Sequence, residues 1–255
     1  MTGHEEGLAG DGADRLGRAV GELAAGETER GAITRAAALA ASSMRAAGAR
    51  SVATGRWLAD AVLVAAPHVP VRDLATLRAH HHGLEGPELA GALIRSASRT
   101  TAGLGAVAGA VASAEELAPP TWLAIPAELI VETLVVVAVE MKLVAELHEV
   151  YDRPVVGSVA VRGAAVARAW AEGRGVRTSD LATPGGVTQA LGLSTRRELT
   201  RLLQRRLARR TLRSMSALAP FLAGAVAGAA VNRRATRSVG EAVVRDLAAR
   251  RAAPT

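Results

Sequence analysis

The side chains in this sequence with the clearest potential for chemistry are acids. Glu128, Glu132, Glu140, Glu146 and Glu149 fall in one run with Lys142, the sole lysine of the chain: IPAELIVETLVVVAVEMKLVAELHEVY, residues 125–151. Carboxyl groups one helical turn apart, as in Glu128/Glu132, are a spacing that general acid–base catalysis uses, provided a pocket and a histidine or metal complete it. The sequence places no such partner beside them or beside Glu115/Glu116, so salt bridging to arginine is the better reading. His148-Glu-Val-Tyr-Asp152 approaches a zinc-protease motif, but an aspartate stands where the second histidine belongs. His80, His81 and His82 are adjacent, point about 100° apart on a helix, and so cannot all grip one metal.

Other signatures are missing. A phosphate-binding loop needs Gly-Lys-Ser/Thr, and Lys142 follows a methionine; there is no G-x-S-x-G elbow. Gly103-Leu-Gly105-Ala-Val-Ala-Gly109 has the wrong spacing for a dinucleotide loop and no strand before it, so helix packing is its reading. With no cysteine, disulfides, thiolate metal sites and cysteine nucleophiles are excluded together. No catalytic residue, cofactor or metal ligand is assigned.

The elements that must position these residues are helices. Aromatics make up 2% of the chain, too few for a typical β-sandwich or barrel, while alanine, leucine and arginine dominate. The expected fold is all-α, a multi-helix bundle with two central apolar helices, about 125–151 and 214–232. The N-terminal MTGHEEGLAGDG carries acids where a signal peptide needs positive charge; residues 1–12 read as a disordered leader of a cytoplasmic chain. A helical region over 13–90 follows, with breaks near Gly26 and Gly48 and a short helix from Val71 to His82. A helix opens at Pro87 and runs to Glu115–Glu116, stopped by Pro119 and Pro120. In 125–151 the acids Glu128, Glu132, Glu146 and Glu149 share an arc of roughly 100° with Lys142, which predicts an acidic stripe on an otherwise apolar helix. A helix after Pro154 extends to about Glu172, and GRGVRTSDLATPGG is a loop.

Charge is unevenly divided. Residues 1–151 carry 12 basic and 18 acidic side chains, and residues 152–255 carry 19 and 6. Thr195-Arg-Arg-Glu198 has capping-box spacing and opens a basic helix with Arg201, Arg205, Arg206, Arg209, Arg210 and Arg213 around a Leu199/Leu203/Leu207 stripe. That helix suits an acidic lipid surface or the acidic first half of the chain. Nucleic acid is disfavoured as a partner, because aromatics for stacking are scarce and no reading module surrounds the helix.

Residues 214–232, SMSALAPFLAGAVAGAAVN, contain no charge over 19 positions. About 20 apolar residues are needed to span a bilayer, and this run holds only six large apolar side chains. GAVAGAVAS at 105–113 and GAVAGAAVN at 224–232 echo each other, each with a G-x-x-x-G pair (Gly105/Gly109, Gly224/Gly228) that permits close backbone approach.

The run LARRTLRSMSALAPFLAGAVAGAAVNRRATRSVGEAV resembles the closing segment of EcsC-family proteins: a basic helix, Pro220, a helix spaced by Gly224 and Gly228, Asn232, and a turn of Thr236, Arg237 and Gly240. Residues 103–151 are also similar, and the resemblance covers about residues 100–245. Asp152 follows the tyrosine where glycine is usual. The resemblance implies a domain at 91–251, or one continuous domain that takes in the N-terminal helical region, in a helical, membrane-associated protein named for its place beside a transporter, and it brings no catalytic residues.

The sequence therefore points to a non-enzymatic helical protein at a membrane surface or bilayer, serving a transport or envelope system. The alternative is a soluble helical interaction module that self-associates or binds another protein. An enzyme would need a pocket lined by Glu128 or Glu132 with a histidine.

Overall fold

The computed structural model describes residues 2–26, 31–53, 56–112, 127–173 and 221–252, together with Thr200. Every regular element among them is helical: α1 (Thr2–Ala25), α2 (Ala32–Ala47), α3 (Ala49–Ala53), α4 (Arg56–Ala65), a 3-10 turn (Ala66–His68), α5 (Leu74–His80), α6 (Gly86–Ala112), α7 (Ala127–Val150), α8 (Val159–Gly173) and α9 (Phe221–Ala252). The expectation of an all-α bundle is met.

The middle of α7 is apolar on nearly every face, and a helix of that kind is stable only when surrounded. Every side chain from Ile130 to Met141 is buried. Helices α1, α2 and α4 cover one side of it, α6 and α9 the other, with α8 between α7 and the 3-10 turn. One continuous core runs from Leu16 of α1 to Leu247 of α9. A boundary near residue 90 therefore separates no independent cores, because α1, α2 and α4 pack directly on α7.

The turns fall where backbone chemistry asks for them. Gly26 and Gly48 adopt φ +98° and +79° at the two expected breaks, a region that costs a side chain about 1 kcal/mol or more. Asp152 sits at φ +57° just past α7, the left-handed cap position that glycine usually fills. Asp73 caps α5 by accepting a hydrogen bond from the Thr76 backbone N–H at 2.7 Å, and that bond holds its carboxyl below the ordinary range.

Three sequence expectations are corrected. The 1–12 segment is not a separate leader, since α1 begins at Thr2 and runs without a break through Gly12. The Thr236–Gly240 turn and the separate last helix from Ser238 are instead the interior of α9, a single 32-residue helix. Nothing from Asn232 to Gly240 removes a backbone donor, and Gly240 serves close packing: a Cβ there would stand 2.6 Å from Ile94 Cγ1. The 214–232 run is not a second central helix over its described part, because Val226 and Val231 are 69% and 42% exposed. Arg237 and Arg250 of α9 pair within their own helix, with Glu241 and Asp246 four residues away.

Helices α6 and α9 run antiparallel with their backbones close together. A Cβ on Gly105 would lie 2.5 Å from the Gly228 carbonyl oxygen and 2.7 Å from Asn232 Nδ2. Around the 3-10 turn, added Cβ atoms on Gly17, Gly21 and Gly163 would meet Val64 O at 2.8 Å, His68 O at 2.4 Å and Pro67 N at 2.8 Å. Gly105→Ala is therefore expected to destabilise the fold by about 1–3 kcal/mol through overpacking. Gly103, two residues earlier with open space beside it, should respond oppositely, Gly103→Ala gaining about 0.5–1 kcal/mol from helix propensity. Urea denaturation of both variants measures the contrast; equal effects would mean that the close approach at Gly105 is not limiting.

Candidate functional site

The acids of α7 are built into the interior. Glu132, Glu140 and Glu146 are all buried, so the expected stripe is not a solvent-facing one, and Glu149 is half-buried. A buried carboxyl group is tolerated only with hydrogen-bond donors around it; α8, α9 and Arg72, just before α5, supply them.

Glu140 is fully buried and accepts at both oxygens. Trp170 of α8 donates its indole N–H to Oε2 at 2.9 Å, and Thr236 of α9 donates its hydroxyl to Oε1 at 2.9 Å. Thr236 Oγ1 also lies 2.9 Å from Thr101 Oγ1 of α6, which is 3.3 Å from the Ser98 carbonyl oxygen. One helical turn away, Asn232 Nδ2 donates to Glu132 Oε1 and to the Thr101 carbonyl oxygen, both at 3.1 Å. Four helices thus meet in one polar network inside an apolar core.

The α9 side of this network follows one row with a period of four: Gly224, Gly228, Asn232, Thr236 and Gly240. Residues four apart form a ridge on a helix surface. On α6 the facing residues are Thr101 and Gly105. Glycines bring the backbones together, and the Asn and Thr between them reach the carboxyl groups of α7.

A second cluster forms at the other end of α7. Arg72 donates Nε to Glu146 Oε1 at 2.7 Å and Nη2 to Oε2 at 2.8 Å, a two-pronged pair. This raises the Arg72 guanidinium above its ordinary value. Lys142 Nζ is 3.8 Å from Glu146 Oε1, and burial pushes its amine below the ordinary lysine value. Arg72 Nη1 lies 3.4 Å from His80 Nδ1, which must accept from an arginine. The His81 imidazole is lowered, chiefly by burial and then by the Arg72 charge, and Glu149 is raised by burial and by Asp73.

The histidine run does not converge: among the described residues no group of three or more His, Asp and Glu could hold a metal ion. His148 Nδ1 donates to the Val144 carbonyl oxygen at 2.8 Å within its own helix. The side chain of Glu128, the pair Glu115/Glu116, Pro220 and the whole basic set Arg201, Arg205, Arg206, Arg209, Arg210 and Arg213 lie outside the described residues. Sequence reasoning missed the partners Trp170, Thr101 and Arg72. It also missed His68, whose Nε2 is 2.9 Å from Asp14 Oδ1 and, with Arg18, holds that carboxyl below its ordinary range. The available signal was the period-four alternation of small and polar residues in α9 beside buried-helix acids in α7.

The network is a packing lock. Both Glu140 oxygens are engaged in it. Glu140→Ala is expected to cost about 3–5 kcal/mol, from the cavity and from stranding Trp170 N–H and the Thr236 hydroxyl. Glu140→Gln should cost far less. Its carbonyl keeps the Trp170 bond, its amide donates to Thr236, and the hydroxyls reverse so that Thr236 donates to Thr101 and Thr101 to the Ser98 carbonyl. Denaturant titration of both variants tests this; similar losses would rule out the hydroxyl reversal.

Lys142 allows a pH test with a definite sign. Because its amine binds a proton less well folded than unfolded, stability rises with pH in the window just below the ordinary value of about 10.4. Lys142→Met is therefore expected to stabilise the fold at pH 7, with the advantage shrinking as pH approaches about 10.4. Denaturation at pH 7, 9 and 10 measures it, and a pH-independent difference would refute burial as the cause.

No family model matches the chain, and no significant match to a curated protein or a solved structure was found.

Proposed function

We propose that the chain is a non-enzymatic, membrane-associated helical protein acting at the cytoplasmic face, accessory to a transport or envelope system. One observation carries the reading. The first third of α9 has no charged residue and presents Val226 and Val231 to solvent, at 69% and 42% exposure, while α9 from Asn232 to Asp246 exposes only polar and charged residues. A contiguous apolar surface with a polar border is what interaction with lipid or with another protein requires.

The sequence resemblance to EcsC-family proteins favours lipid over protein as the covering. No helix among the described residues is long and apolar enough to cross a membrane, so attachment through a surface-seated element fits better than a span. The competing reading, a helical module whose same valines are covered by another protein, predicts a different fractionation.

Expression followed by separation of membranes from cytosol tests the proposal. The full chain is expected in the membrane pellet at low salt. Recovery in the cytosol from the start would overturn membrane association and leave the protein-interaction module. Retention through an alkaline-carbonate wash would mark an element seated in the hydrocarbon, and release would overturn such seating in favour of attachment at the headgroups.

A further inference from the structure

We infer that the uncharged end of the α6–α9 pair is a lipid anchor that seats in one leaflet of a bilayer containing anionic phospholipid, with Arg99, Arg233 and Arg234 at the level of the phosphates. The inference rests on the membrane association proposed above and names the surface and the lipid.

Three observations meet at this end of the molecule. The first is length. Between Phe221 and Val231 α9 has no charge, nor does α6 between Thr100 and Ala112. At 1.5 Å per residue these stretches extend about 17 and 20 Å. The hydrocarbon of one leaflet is about 15 Å deep, half of the full core of about 30 Å. The pair is long enough to fill a leaflet.

The second is the exposed face. Val226, Ala227, Ala230 and Val231 face solvent on α9, and Gly103 does on α6. The inward residues of the same helices, Gly105, Gly228 and Asn232, are spent on helix pairing. Two paired helices satisfy their backbone groups internally, as entry into lipid demands.

The third is the border. Arg95 and Arg99 on α6, and Arg233, Arg234 and Arg237 on α9, are all exposed. Because the helices are antiparallel, with Gly105 beside Gly228 and Thr101 beside Thr236, these arginines form one collar at the base of the uncharged end. Arg237 pairs with Glu241. Among the described residues no carboxyl group pairs with Arg95, Arg99, Arg233 or Arg234. A cationic collar under a weakly apolar, alanine-rich tip complements anionic headgroups: the tip alone partitions poorly, and phosphate contacts hold it in place. A second copy of the chain would meet this collar with the same positive charge.

The chain has no cysteine, so a single introduced thiol reports one site. The full-length protein with Val226→Cys, or Ala230→Cys as a second position, is labelled with an environment-sensitive fluorophore and mixed with vesicles. One set is phosphatidylcholine alone and the other contains a third phosphatidylglycerol. A blue shift on the anionic vesicles is expected, with none for the label at Val156→Cys, an exposed loop position. Arg233→Gln with Arg234→Gln should weaken apparent affinity about tenfold or more. Co-sedimentation without a shift at residue 226 or 230 would overturn the anchor while leaving membrane association standing, with attachment through another surface such as the arginines of 196–213. Failure to co-sediment would overturn both. An equal shift on neutral vesicles would overturn the role of the collar, and a shift that grows with protein concentration in the absence of lipid would assign the face to a second copy.

Discussion

A carboxyl group at the centre of an apolar helix bundle constrains everything around it. Apolar contacts are non-directional: α7 could slide by a turn against α6 or α9 and still bury much of its valine and leucine surface. Glu140 cannot slide. With both oxygens buried, loss of its donors costs on the order of 1–3 kcal/mol for each group left unsatisfied. Trp170 and Thr236 must therefore stand within about 3 Å of it, which fixes the register of α8 and α9 on α7 together. Glu132 repeats the constraint one network step away, through Asn232, and Glu146 repeats it at the far end through Arg72. Buried polar groups of this kind can select one arrangement among several of similar apolar quality.

The constraint on the α6–α9 contact follows from it. Asn232 reaches the Thr101 main-chain carbonyl, an acceptor inside a helix already bonded along its own axis. A side chain at Gly105 would stand in that path, its Cβ only 2.7 Å from the donating nitrogen. The glycines and the polar residues in these two rows are thus parts of one device. The small residues supply proximity, and the Asn and Thr between them convert proximity into hydrogen bonds. Neither set alone would hold these helices in this register.

Much of this was legible in the sequence, and the misses have physical causes. Alanine, leucine and arginine without β-forming aromatics gave helices, and Gly26 and Gly48 marked breaks because the chain there needs a positive φ. The glycine echo at 105 and 224–228 marked close packing. Periodicity placed the acids of α7 in one stripe and suggested arginine as their partner; the donors that bury them, Trp170, Arg72, Thr236 and Asn232, lie 30, 74, 96 and 100 residues away, and helical periodicity carries no information about such partners. The break between Asn232 and Ser238 matched the turn that the EcsC resemblance implies, at residues that also favour helix weakly. Tertiary contacts outweighed that local preference: Asn232 and Thr236 are both buried and bonded, and Gly240 fits against Ile94. Gly17 and Gly21 carried the same close-approach signal in α1, unread because no second run echoed it.

The unbroken course of α9 joins the interior to the surface. Within three residues, its outward face changes from Val231 to Arg233 and Arg234 while its inward face stays small and polar through Gly228, Asn232 and Thr236. A hinge near Asn232 would have let the uncharged end swing freely, and the orientation of that end would then say little about its use. A continuous helix makes it an extension of the locked core, at 1.5 Å per residue and without a joint. The bonds to Glu132 and Glu140 thereby set where Val226 and Val231 point. An apolar face held at a fixed angle, with a fixed cationic border, loses less conformational entropy on meeting a flat anionic surface than a flexible arm of the same composition would. The buried carboxyl groups of α7 and the exposed valines of α9, which look like separate departures from the usual inside–outside rule, are in this way joined through α9.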